Sequence, residues 1–122
     1  MTDYSKMSDF DVTCMVAKFI HPDAELLDVN RGKTESSITL KFGPHGYMGF
    51  DPCNNPSDAW PIIVEEKISI MFDSTLPEYE GEYHEWCSAI SSCQKYGIQY
   101  QSNPLRAAMI VYLMMKESEN GI

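Results

Sequence analysis

Positive charge is scarce in this chain. Nine lysines and arginines stand against eighteen aspartates and glutamates, for a formal charge of −9 at pH 7. Affinity for a phosphate backbone comes largely from lysine and arginine displacing its counterions, so direct binding of nucleic acid is not expected. Long apolar runs are missing too. The longest, near Ala107–Met115, falls well short of the roughly 20 residues that cross a bilayer, so no membrane association is expected. The start, MTDYSKMSDFD, has no basic stretch followed by an apolar segment, so no secretory signal is expected. A cytosolic protein with reduced cysteines is the expectation.

Catalytic and metal-binding signatures are also absent. The cysteines, Cys14, Cys53, Cys87 and Cys93, form no C-x-x-C pair. The nearest approach to a metal set is His84, Cys87 and Cys93 with His45 supplied from elsewhere, a looser spacing than structural zinc sites use. Neither a metal nor a cofactor is expected. The chain contains no GxGxxG, no phosphate-binding GxxxxGK, no GxSxG and no HExxH. A nucleophile pair of Cys87 and His84 requires that segment to be helical, because residues three apart share a helical face but point to opposite sides of a strand. Gly43, Gly46 and Gly49 in FGPHGYMGF read as a turn, since no helix start or basic residue follows to cradle a phosphate.

What is present is an ordinary folding composition, 43% hydrophobic and 22% charged, which argues against intrinsic disorder. The 122 residues fit one domain that buries roughly two-thirds of its unfolded surface. Ser8 predicts a helix cap, and Val12, Met15, Val16, Phe19 and Ile20 follow at helical spacing until His21-Pro22 stops them. Residues 23–32 carry little signal. Ile38, Leu40 and Phe42 alternate as in a half-buried strand, and Ile68, Ile70 and Phe72 do so again. Ile62 to Val64 are expected to form a further strand before a turn at Glu65-Glu66-Lys67. Trp86 to Ile90 and, more weakly, Tyr96 to Tyr100 complete the strand candidates.

Asn103-Pro104 is the clearest boundary, an N-cap residue followed by proline at the first helical position. It predicts a helix to about Glu117, with Ser118 to Ile122 as a frayed tail. The order predicts one α+β domain over 1–122, a small antiparallel β-sheet packed with an N-terminal and a C-terminal helix. The methionine-rich stretch MIVYLMMKE is apolar over more than one stripe. It is expected to lie between the sheet and the first helix, the alternative being a homodimer interface through this C-terminal helix.

Two surface stretches stand out. In LPEYEGEYHEW, an extended backbone places Glu78, Glu80 and Glu82 on one face roughly 7 Å apart, with Tyr83 and Glu85 beside them. The ordinary reading of this row is a solvated hairpin loop with its tyrosines over the core, and the functional one is an edge for a basic partner. The second stretch is DPCNNPSDAWPII at 51–63. Its prolines stiffen a loop, its Trp60 is expected to anchor that loop to the core, and Ile62-Ile63 to lead into a strand.

DYSKMSDFDV with MVAK, NNPSDAWPII and NPLRAAMIVYLMMKE, in this order, resemble the NinX-like proteins of tailed bacteriophages and enterobacterial prophages. The resemblance implies a small phage accessory protein acting in the cytoplasm of the bacterial host, in a family without an assigned activity. The expectation is then a non-enzymatic protein that binds, and in one version inhibits, a host protein such as a defence or nucleic-acid-processing factor. Its partner is expected to meet the acidic surface with a basic face. The alternative is a small enzyme or ligand-binding protein whose site assembles from scattered Cys, His and Glu residues.

Overall fold

A computed structural model describes residues 3–27, 37–44, 46–75, 81 and 84–119. A short 3-10 turn at Tyr4–Lys6 precedes helix α1 (Asp9–Ile20). Strands β1 (Glu25–Leu27), β2 (Ile38–Phe42) and β3 (Gly46–Phe50) follow, then helix α2 (Pro56–Glu66). Strands β4 (Ser69–Ser74), β5 (Glu85–Ile90) and β6 (Gly97–Gln101) lead into helix α3 (Pro104–Glu119). The α+β class holds, with two three-stranded antiparallel sheets, β1-β2-β3 and β4-β5-β6. No described helix is long and apolar enough to cross a membrane.

Helix α1 starts where the sequence predicts, with Ser8 Oγ accepting from the Asp11 amide at 3.1 Å. Helix α3 is the centre of the molecule. It packs against all three strands of the second sheet and against α1 and α2, and every residue from Ala107 to Leu113 is buried. That burial explains its broad apolar surface: a helix covered on several sides needs no polar stripe there. It runs past the expected end, because Ser118 and Glu119 are helical and the Tyr96 hydroxyl donates to Ser118 Oγ at 2.6 Å.

Asn103 caps α3 more firmly than a cap residue alone does. Its Oδ1 accepts from the amides of Leu105 and Arg106 at 3.0 and 3.1 Å, while Nδ2 donates to the Cys53 carbonyl at 2.7 Å. Asn103→Ala removes both functions. The expected loss is about 2 kcal/mol, the upper end for a cap, and Asn103→Asp should recover about half by restoring the acceptor alone. Urea denaturation of the two variants measures the difference.

Two expectations fail between residues 56 and 66. The segment expected to reach a strand at Ile62 to Val64 is helical, and Trp60, expected to anchor a loop, is 63% exposed. Asn55 caps α2 by accepting from the Ser57 amide at 3.0 Å, and Pro56 occupies the first turn. Ala59, Ile62 and Ile63 then fall on one buried face at helical spacing. Pro61 sits inside the helix, where proline normally breaks it. It lies on the exposed side, where water can satisfy the carbonyl it leaves unpaired. Lys67 closes the helix in the left-handed conformation, φ 55°, as residue 68 returns an amide bond to the Ile63 carbonyl at 3.0 Å.

Candidate interaction surface

The three sequence blocks that carry the resemblance meet in one polar junction. Arg106, at the start of α3, sends Nη1 to Asp9 Oδ1 at 2.6 Å and Nη2 to the carbonyls of Tyr4, Ser5 and Met7 at 3.3, 3.2 and 2.5 Å. Asn54 Nδ2 reaches Asp9 Oδ2 at 3.4 Å and Asp51 Oδ1 at 3.5 Å, and Asn103 Nδ2 reaches Asn54 Oδ1 at 3.3 Å. The Asp51 amide donates to Asp58 Oδ2 at 2.9 Å. Nearby, the Tyr4 hydroxyl donates to Glu117 Oε2 at 2.7 Å inside the core. A shallow groove of about 290 Å³ opens over Ser37, Asp51, Asn54, Asn55 and Asp58. These polar groups hold one another, so the segment 51–58 is accounted for as architecture.

The thiol chemistry considered from the sequence does not assemble. Residues 85–90 form a strand, so His84 and Cys87, three apart, point to opposite faces. Cys87 is buried, donates to the Gln101 carbonyl at 3.1 Å, and has its thiol pushed up by burial. Burial likewise pushes the Cys53 thiol up to about 12, far from the thiolate form that attacks or binds metal. Cys93 is exposed, and Ser91 Oγ at 3.3 Å holds its thiol below the usual value. Among the described residues no group of three His, Cys, Asp or Glu is placed to hold a metal ion, and His45 lies outside them.

Of the expected partner-binding residues, Glu78, Glu80, Glu82 and Tyr83 lie outside the described residues. Glu85 is exposed at the start of β5. It lines a groove of about 340 Å³ with Phe72, Asp73, Ser74 and Trp86. Ser74 pairs with Glu85 and Asp73 with Trp86, so the groove wraps the end of the sheet, with Phe72, Ser74 and Glu85 on one face and Asp73 and Trp86 on the other. One carboxylate and one ring thus stand on each face of the strand end, Glu85 with Phe72 on one and Asp73 with Trp86 on the other. That combination suits a lysine or arginine, which gains an ion pair and a ring face at once.

A second groove, about 470 Å³, lies between α2 and the start of β4, lined by Trp60, Ile63, Val64, Lys67, Ile68, Ser69 and Ile70. Trp60 and Val64 are one helical turn apart on the outward side of α2, and Val64 is 52% exposed. On β4, Met71 is 50% and Phe72 76% exposed. Scattered exposed apolar residues are ordinary, but Met71 and Phe72, on opposite faces of β4, leave both sides of this strand apolar, with a groove at each end.

The outer face of this sheet carries a further ring. The register slips between Cys87 and Ala89, so Gln99 and Tyr100 both oppose Ser88 in a β-bulge. Tyr100 adopts φ 58° and is 72% exposed, with its ring centroid 5.5 Å from that of Trp86. A left-handed tyrosine is strained, and here the strain turns a ring toward solvent. The sequence signal for the α2 groove was available: Trp60 and Val64 at i, i+4, opposite Ala59, Ile62 and Ile63, describe an outward apolar pair once α2 is recognised as a helix.

No curated protein and no solved structure matches the chain. The family described as Bacteriophage P22, NinX matches residues 3–116, a span that contains α1, the junction at Arg106, both sheets and nearly all of α3. By that match the chain belongs to the NinX family of phage proteins.

Proposed function

We propose that the protein is a non-enzymatic phage accessory factor that binds a host protein, and restrains its activity, through the surface around β4. The observation that carries this reading is the set of exposed rings and apolar side chains along β4 and α2, Trp60, Val64, Met71 and Phe72, next to Asp73 and Glu85. Buried tryptophan and tyrosine anchors ringed by polar groups dominate the energetics of protein interfaces. The charge of −9 favours a partner with a basic face, since charge complementarity speeds encounter and rejects wrong partners. In sequence, the connection from Thr75 to His84 adds Glu78, Glu80 and Glu82 to the same acidic segment.

The test begins with capture of partners from a lysate of the bacterial host and continues with binding kinetics against the purified partner. Trp60→Ala and Phe72→Ala should each weaken binding at least tenfold, mainly by faster dissociation. Their stability should stay within about 0.5 kcal/mol of the parent, as for other surface changes. Asp73→Asn with Glu85→Gln should slow association at low salt, and that difference should vanish as salt rises, because exposed charges are screened over about 8 Å at physiological ionic strength. A captured partner whose binding survives all four substitutions overturns the assignment of this surface.

A further inference from the structure

Strand β4 pairs with β5 on one side and, among the described residues, with nothing on the other. Which backbone groups face outward follows from one bond. The Thr75 amide donates to the His84 carbonyl at 2.9 Å, in register with the pairing of Ser74 and Glu85. Bonded and non-bonded pairs alternate along an antiparallel ladder. Ser69, Met71 and Asp73 therefore turn their amides toward β5, while Ile70, Phe72 and Ser74 turn theirs away. The Ser74 amide agrees, since it donates to Asp73 Oδ1 at 2.8 Å. Among the described residues, the outward backbone groups of Ile70 and Phe72 make no backbone hydrogen bond.

Edge strands are normally guarded by lysine, proline or a bulge. The sequence SIMFDS has neither lysine nor proline, its one charge is Asp73, which caps the Ser74 amide and leaves Ile70 and Phe72 clear, and its register with β5 is regular throughout. We propose that β4 accepts an extended segment of a protein partner as an added strand. The segment sets a lysine or arginine beside Phe72 and Glu85, on the face of the sheet that Ile70 shares. An apolar side chain enters the groove of Trp60, Val64 and Ile70. Phe72 and Ser74 lie about 7 and 14 Å from Ile70 along the strand, so the basic and apolar side chains stand two or four residues apart on the incoming segment. Charge selects this occupant over a second copy of the chain. Self-pairing brings two bodies of charge −9 together, whereas a basic segment is drawn to Asp73 and Glu85. The inference rests on the reading of this surface as a protein-binding face and specifies how it binds.

The probe is a displayed library of short random peptides, selected against the whole protein. Recovered sequences should carry lysine or arginine two or four positions from an apolar residue. With such a peptide bound, amide exchange at Ile70 and Phe72 should slow at least tenfold. Phe72→Ala keeps the outward amide and should weaken binding about tenfold. Phe72→Pro also removes that amide, which lies outside the β4–β5 ladder, and should abolish binding while the urea midpoint stays near that of Phe72→Ala. If Phe72→Pro fails to fold, exchange on the unaltered protein decides.

Failure to recover binders, recovery of peptides without basic residues, or unchanged exchange at Ile70 and Phe72 overturns the proposal. So does a free protein that sediments as a dimer with those two amides already protected. A host partner lost with Trp60→Ala but retained by Phe72→Pro sinks strand addition and leaves the interaction surface standing.

Discussion

Arg106→Ala should lower stability by roughly 2–4 kcal/mol, the largest effect expected from any polar substitution in the described chain. The guanidinium is only 13% exposed and bonds Asp9 together with the carbonyls of Tyr4, Ser5 and Met7. Removing it takes a donor from each of these acceptors, partly shielded from water, although the Tyr4 carbonyl keeps the Met7 amide and Asp9 keeps Asn54. Breaking a fully buried ion pair costs about 3–5 kcal/mol, and the value here is set lower because Asp9 is 36% exposed and solvent replaces part of what is lost. Arg106→Lys should recover less than half, since one ammonium cannot reproduce a fork that serves one carboxylate and several carbonyls. Asp9→Ala should cost about 1–2 kcal/mol, because the carbonyl bonds survive it. Urea denaturation of the three variants gives the ranking, and a loss below about 1 kcal/mol for Arg106→Ala contradicts this account of the junction.

Leu113→Ala should cost about 2–5 kcal/mol, the range for emptying a packed leucine site. Leu113 is fully buried on the helix that touches both α1 and the second sheet. The neighbours that would have to collapse into the cavity belong to several different elements, so relaxation is limited. The informative control is Trp60→Ala. Tryptophan is the larger side chain, and truncating a buried one typically costs 3–5 kcal/mol, yet at 63% exposure the loss here should stay within about 0.5 kcal/mol. A Trp60 loss equal to that of Leu113 means that α2 is not placed as described, and it removes the tryptophan from the interaction surface.

The same two-residue signal occurs twice, and only one copy can be read from the sequence. Asn103-Pro104 announces α3 because an apolar helical pattern follows without interruption, and Asn55-Pro56 announces α2 by identical chemistry. There the second proline, Pro61, and the β-branched run Ile62-Ile63-Val64 argue locally for a strand. Packing of Ala59, Ile62 and Ile63 against the core outweighs those local preferences. Strand β3 was hidden in a similar way. Its glycines, Gly46 and Gly49, read as turn residues, but Gly46 stands opposite Phe42, where an added Cβ would lie 2.8 Å from the Phe42 carbonyl oxygen, and Gly49 pairs with Thr39.

Sequence alone determined what depends on neighbours in the chain: the caps at Ser8 and Asn103, the alternation in β2 and β4, the helical period of α1 and α3, the acidic balance, and the family to which the three blocks point. Those features follow from local backbone geometry and composition, and each can be read within a few residues. Only the tertiary structure decided which apolar residues face water. Trp60 and Phe72 have the composition of core residues, but the cluster built around α3 includes neither, and both rings are mostly exposed. It also decided that Asp9, Asn54, Asn103 and Arg106, separated by up to 97 positions, would satisfy one another. Hydrogen bonds between distant segments have no period to read, because their partners are chosen by how the helices pack.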